Sequence, residues 1–109
     1  MNIKKLEETV MGKGSTKGFT YKRVFENEGW YIYQMIVPTG EHRKPYFEVF
    51  KKKIVHPLIS GTLNTDKTKW MELYPSDAVF GNWAWGVNSI ERAMEIISKK
   101  MPQDDKAIG

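Results

Sequence analysis

The sequence predicts an α+β domain: an antiparallel sheet of three to five strands, connected as a meander and packed against one C-terminal amphipathic helix. Three observations predict it. Residues 30–37 (WYIYQMIV) are rich in β-branched and aromatic residues, with apolar side chains on both faces. Ile90, Ala93, Met94 and Ile97 recur at helical spacing and leave the opposite face charged. Around the first of these segments, turn-forming clusters leave only short connections between the first three strands, which favour antiparallel neighbours.

Taken in order, residues 1–18 read as a flexible arm. Ile3, Leu6 and Val10 fall on one side of a short helical turn, and Gly12, Gly14 and Gly18 bracket Ser15 and Thr16. Residues 19–25 alternate imperfectly and are rich in strand formers, which predicts the first strand. Glu26-Asn27-Glu28-Gly29 is a turn. The second strand, over 30–37, is central and covered on both sides, and Pro38-Thr39-Gly40 ends it. Residues 45–54 (PYFEVFKKKI) form the third strand. A loop then runs from His56 to about Thr68, marked by Gly61, Asn64 and Asp66.

Residues 70–74 (WMELY) predict a short fourth strand and residues 80–87 (FGNWAWGV) a fifth. In the fifth, alternation puts Trp83, Trp85 and Val87 on one face, and Asn82, Ala84 and Gly86 on a small face that lets another layer approach closely. Asn88 is the expected N-cap of the helix, with Glu91 completing a capping box. Lys99 and Lys100 suit the negative end of the helix dipole, and Pro102 fits a stop. The domain therefore spans 19–101, with a disordered tail over 102–109.

Composition narrows the function classes. At 109 residues the chain fits one domain. With no cysteine there is no disulfide framework, thiolate metal site or thiol nucleophile. No apolar run approaches the ~20 residues a membrane helix needs, and the lysines near the start precede no apolar signal core. A cytoplasmic protein without membrane association is expected. Seventeen Lys/Arg against thirteen Asp/Glu give a net charge of +4, compatible with nucleic acid or an acidic protein and opposed to a DNA mimic. Four Trp, five Tyr and five Phe exceed what a minimal core needs, which points some of them at a partner.

Two constellations are candidate binding sites. The first is basic and aromatic: Lys22, Arg23, Arg43, Lys44, Lys51 and Lys53 to hold phosphates, with Tyr31, Tyr33 and Tyr46 to stack on bases. Its plain alternative is a solvated sheet edge whose lysines oppose aggregation. Alternation also puts Lys52 opposite Lys51 and Lys53. The second is the aromatic block Trp70, Tyr74, Phe80, Trp83 and Trp85. Trp83 and Trp85 read as core under the helix, and Trp70 and Tyr74 as anchors for a protein partner.

Signs of catalysis are sparse. His42 and His56 are the two histidines, and neither has ligand spacing for a metal. Gly12-Lys13-Gly14-Ser15 lacks the spacing of a phosphate-binding loop. Ser76-Asp77 is an adjacent pair, which is not a triad. Glu48 and Glu72, on the third and fourth strands, are placed to meet across the sheet; acid–base work or surface ion pairing are the readings. No enzyme, cofactor or metal is expected.

Two resemblances arise. Phe80-Gly81, Trp83-Ala84-Trp85 and then Ser89, Glu91 and Ala93 look like the strand-to-helix joint of AP2-type and integrase N-terminal DNA-binding domains, a likeness that implies DNA reading by the sheet. Tyr46, Val49-Phe50, Tyr74-Pro75-Ser76 and the 80–93 block are similar to short uncharacterised proteins of phages and mobile elements. That likeness implies a factor that binds a host protein or nucleic acid. The expectation is a non-enzymatic binding module, on nucleic acid through its basic sheet face or on a host or defence protein. An exposed edge strand also permits a homodimer.

Overall fold

A computed structural model describes residues 3–12, 18–37 and 43–100. It is the expected α+β architecture, with the strands divided between two sheets. In chain order the elements are β1 (Ile3–Lys4), β2 (Thr9–Met11), β3 (Thr20–Glu26), β4 (Trp30–Ile36), β5 (Phe47–Lys51), β6 (Ile54–Val55), β7 (Trp70–Glu72), a 3₁₀ turn (Asp77–Val79), β8 (Ala84–Val87) and α1 (Ile90–Lys100). The larger sheet has the order β2-β3-β4-β5-β8 and is antiparallel throughout. The smaller has the order β1-β7-β6, with β1 parallel to β7. Among the described residues, no helix is long and apolar enough to cross a membrane.

The β3–β4 hairpin shows why local chemistry fixes register. The Asn27 side-chain oxygen accepts from the Gly29 and Trp30 amides at 2.9 and 2.8 Å, closing the turn. Arg23 then pairs with Tyr33, but Phe25 pairs with Ile32, so Val24 is an extra residue in the ladder. This bulge turns Phe25 to the face opposite Arg23, which is why alternation over 19–25 looked imperfect.

Strand β4 is buried on both faces over residues 30–33, as its composition predicts, and opens toward Ile36. One face packs on α1: Trp30, Ile32, Phe47 and Val49 meet Ala93 and Ile97, with Phe25, Trp85, Val87, Ile90 and Ile96 around them. The other face carries Tyr21, Tyr31, Tyr33, Phe50 and Ala84, covered by Leu6, Val10, Tyr46, Tyr74, Phe80 and Trp83 among others.

Several local expectations are corrected. Residues 3–12 hold two short strands where a helical turn in a loose arm was expected, because β2 extends the large sheet and β1 the small one. The rest of that arm and the tail over 102–109 lie outside the described residues, as does His42. The third-strand segment divides: β5 ends at Lys51, and Ile54–Val55 joins the second sheet. Trp83 precedes β8, so it escapes strand alternation and lies on the tyrosine side while Trp85 lies on the helix side. Met94 is 39% exposed, because the buried stripe runs through Ile90, Ala93 and Ile97 toward Ile96. The helix cap is Ser89, whose hydroxyl accepts from the Arg92 amide at 3.1 Å. Asn88 instead donates from its side chain to the Pro45 carbonyl at 2.9 Å.

Candidate functional site

The basic and aromatic residues do not share one open face. Tyr31 and Tyr33 are wholly enclosed, so neither ring has a face for a base to stack on. The cause is the covering layer: Tyr33 stacks on Phe50 with centroids 5.7 Å apart and meets Tyr74 edge-on at 5.2 Å. The Tyr33 hydroxyl donates to the Glu7 carbonyl at 2.6 Å, and burial pushes its pKa up to about 12. Tyr46 is half-buried, with its hydroxyl turned inward to Glu48 at 3.2 Å.

The cations scatter. Lys22 and Lys44 are exposed. Arg23 lies 3.7 Å from Glu26, which also binds Lys5 and Lys52 at 2.6 Å each. Those lysine hydrogen bonds hold the Glu26 carboxyl down at about 2. Arg43 lies over the Phe19 ring, Lys51 over Trp30 on the helix side, and Lys53 over Trp83. The sheet face implied by the likeness to AP2-type domains is thus occupied by the chain itself.

The two expected protein anchors differ in placement. Tyr74 is part of the tyrosine layer, 4.9 Å from Phe50 between ring centroids. Trp70 is half-buried in β7, its ring tilted 38° against that of His56 with centroids 3.9 Å apart, while His56 Nδ1 sits 2.7 Å from the Lys69 carbonyl. A group of exposed apolar residues lies just before it, on a loop closed by a Leu58–Thr65 bridge: Leu58, Ile59 and Leu63, the last 94% exposed. The sequence reading passed over these three because their loop looked merely irregular.

The carboxylates Glu48 and Glu72 are buried, at 6% and 5% exposure. They do not behave as surface ion pairs. Each is solvated by protein donors of its own. Glu72 accepts from the Tyr31 hydroxyl at 2.5 Å and the Leu6 amide at 2.9 Å. This joins the small sheet and the N-terminal strands to the tyrosine layer. Burial, then the bond to Glu72, raises the Tyr31 pKa.

Glu48 is the more informative. It points to the tyrosine face from β5, because Phe47 and Val49 on either side point to α1. Its two oxygens accept from Tyr74 at 2.7 Å and Tyr46 at 3.2 Å. Burial raises its pKa against the opposing effect of those two bonds, and the Asp77 charge adds to the rise. Close approach of Tyr46 depends on Gly86, since a Cβ there would overlap the Tyr46 ring.

Beside Glu48 opens a cavity of about 390 Å³, within the range of small-ligand sites. The edge strand β2 and Gly12 form one wall through Val10 and Met11, and the segment Tyr74-Pro75-Ser76-Asp77 with Phe80 forms another. Glu48 and Tyr21 complete the lining. The sequence singles out Glu48 only together with Glu72, as acid–base work or surface ion pairing, and does not mark it as buried. The walls are not legible in the sequence, because Thr9–Met11 becomes a strand only by pairing with β3, and Ser76-Asp77 reaches Glu48 only through the fold. Comparison with protein-family models, curated proteins and solved structures finds no match for this chain.

Proposed function

We propose that this chain is a non-enzymatic cytoplasmic binding module whose recognition site is the cavity beside Glu48. The observation that supports this reading is convergence. A desolvated carboxylate, two phenols, a hydroxyl-bearing residue and a second carboxylate surround one concavity with apolar walls. Both Glu48 oxygens are engaged by phenols, an arrangement suited to orienting a bound group and unlike a base reserved for proton abstraction. Nucleic-acid binding is left with phosphate contacts from dispersed cations such as Lys22 and Lys44, since Tyr31 and Tyr33 are enclosed.

Amide chemical-shift mapping with a set of small organic fragments tests the proposal. Shifts clustered at Val10, Gly12, Tyr21, Ser76 and Asp77 are expected. Shifts absent from those residues across the whole set contradict it.

A second reading, a factor that binds a host or defence protein, is favoured by the exposed Leu58, Ile59 and Leu63. Under it, a stoichiometric partner captured from a bacterial lysate after nuclease treatment is lost on Leu63→Asp. Retention by that variant argues against the loop.

A further inference from the structure

We propose that the cavity binds an organic ammonium group, with Glu48 as its counter-ion and the neighbouring rings as its walls. This rests on the preceding reading that the cavity is the recognition site. Three observations carry it.

The first is the charge of the lining. Its ionisable carboxyls are Glu48 and Asp77, and no Lys, Arg or His is among the described lining residues. Among the described lining residues the charged groups are thus carboxyls only, in a chain with seventeen Lys/Arg against thirteen Asp/Glu.

The second is the contrast between Glu26 and Glu48. Glu26, on the surface side, gathers Lys5, Arg23 and Lys52. Glu48, far more buried, is held by phenols and has no ion-pair partner among the described residues. A buried carboxylate ordinarily keeps a cation beside it. Here the phenols keep the carboxylate in place while the cavity leaves room for a cation from outside.

The third is the aromatic wall. Tyr21 and Tyr74, with ring centroids 6.3 Å apart, and Phe80 line the same space. Aromatic rings beside a carboxylate stabilise an alkylammonium through their quadrupoles, most strongly where water is excluded. A neutral ligand draws on the apolar walls alone and an anion is repelled by Glu48, so the selected class is a primary or quaternary alkylammonium. Such a group belongs either to a free amine or to a lysine side chain of a protein.

The probes are choline, its uncharged isostere 3,3-dimethylbutan-1-ol, and Nα-acetyl-lysine amide with its trimethylated form, each titrated by amide chemical shift. Choline or a lysine derivative is expected to bind about tenfold more tightly than the isostere. Glu48→Gln is expected to bring the ratio near one. Tighter binding of choline assigns a free amine; tighter binding of either lysine derivative assigns a protein side chain. Equal affinity for choline and the isostere overturns the ammonium assignment while leaving the cavity as a binding site. No shift with any probe overturns the assignment as well, and the fragment set then decides the cavity separately. Should Glu48→Gln fail to fold, Phe80→Leu, which removes a ring and keeps the carboxylate, is expected to lower the choline preference. An unchanged preference in that variant counts against the aromatic wall.

Discussion

The Tyr74 hydroxyl donates to Glu48 at 2.7 Å across the tyrosine side of the large sheet. Tyr74 lies in the segment after β7, and Glu48 is the second residue of β5. Their bond ties the cavity rim to the most buried strands and keeps a carboxylate oriented where water has little access. Burial and the adjoining carboxylate raise the Tyr74 pKa, so the phenol stays a donor throughout the physiological range.

Gly86→Ala is expected to destabilise the fold by about 1–3 kcal/mol through overpacking. The new methyl would overlap the Tyr46 ring and displace its hydroxyl from Glu48. Urea denaturation measures the loss. In the double variant with Tyr46→Ala much of the Gly86→Ala cost should vanish, and full additivity would argue against the clash.

Glu72→Ala removes the acceptor for the Tyr31 hydroxyl and the Leu6 amide. Each donor left buried costs about 1–3 kcal/mol. Hydrogen exchange at Leu6 should accelerate more than exchange at Val49, because the N-terminal strands lose an anchor while β5 keeps its ladder. Equal acceleration at both sites would mean that Glu72 supports the whole fold and has no particular role at the N-terminus.

The two unusual glutamates act on stability in opposite pH windows. The folded pKa of Glu26 is lowered to about 2, so its contribution is present above the ordinary glutamate value and lost as pH falls toward 2. The folded pKa of Glu48 is raised, so its contribution is present below the ordinary value and lost as pH rises through the folded pKa. Urea midpoints across pH should show Glu26→Gln flattening the acid limb. Glu48→Gln should remove a decline on the other side. Interchanged effects would refute both assignments.

The layer arrangement was legible because it follows from period and composition. Trp30 to Ile36 bears apolar residues on both faces, and residues 30–33 are buried on both. What escaped depended on distant pairing. Thr9–Met11 is a strand only because Thr20–Lys22 offers it an edge, and nothing in the local sequence announces that. Likewise, Tyr31 and Tyr33 look like stacking platforms until Leu6, Val10, Tyr74 and Phe80 are seen to cover that side.

Nucleic-acid affinity provides an independent check. With Tyr31 and Tyr33 sealed and Arg23 engaged by Glu26, any binding to single-stranded DNA is phosphate attraction, which should fall steeply between 50 and 200 mM salt. Affinity that survives high salt and drops on Tyr33→Ala without loss of fold would show that the ring becomes accessible in solution.

The most direct measurement is a ¹³C titration of the Glu48 side-chain carboxyl in the intact chain. Desolvation beside Tyr46, Tyr74, Tyr21 and Asp77 predicts a midpoint above the ordinary glutamate value, moving downward when choline is added. A midpoint at or below that value, unmoved by the cation, would contradict a desolvated carboxylate at the cavity wall.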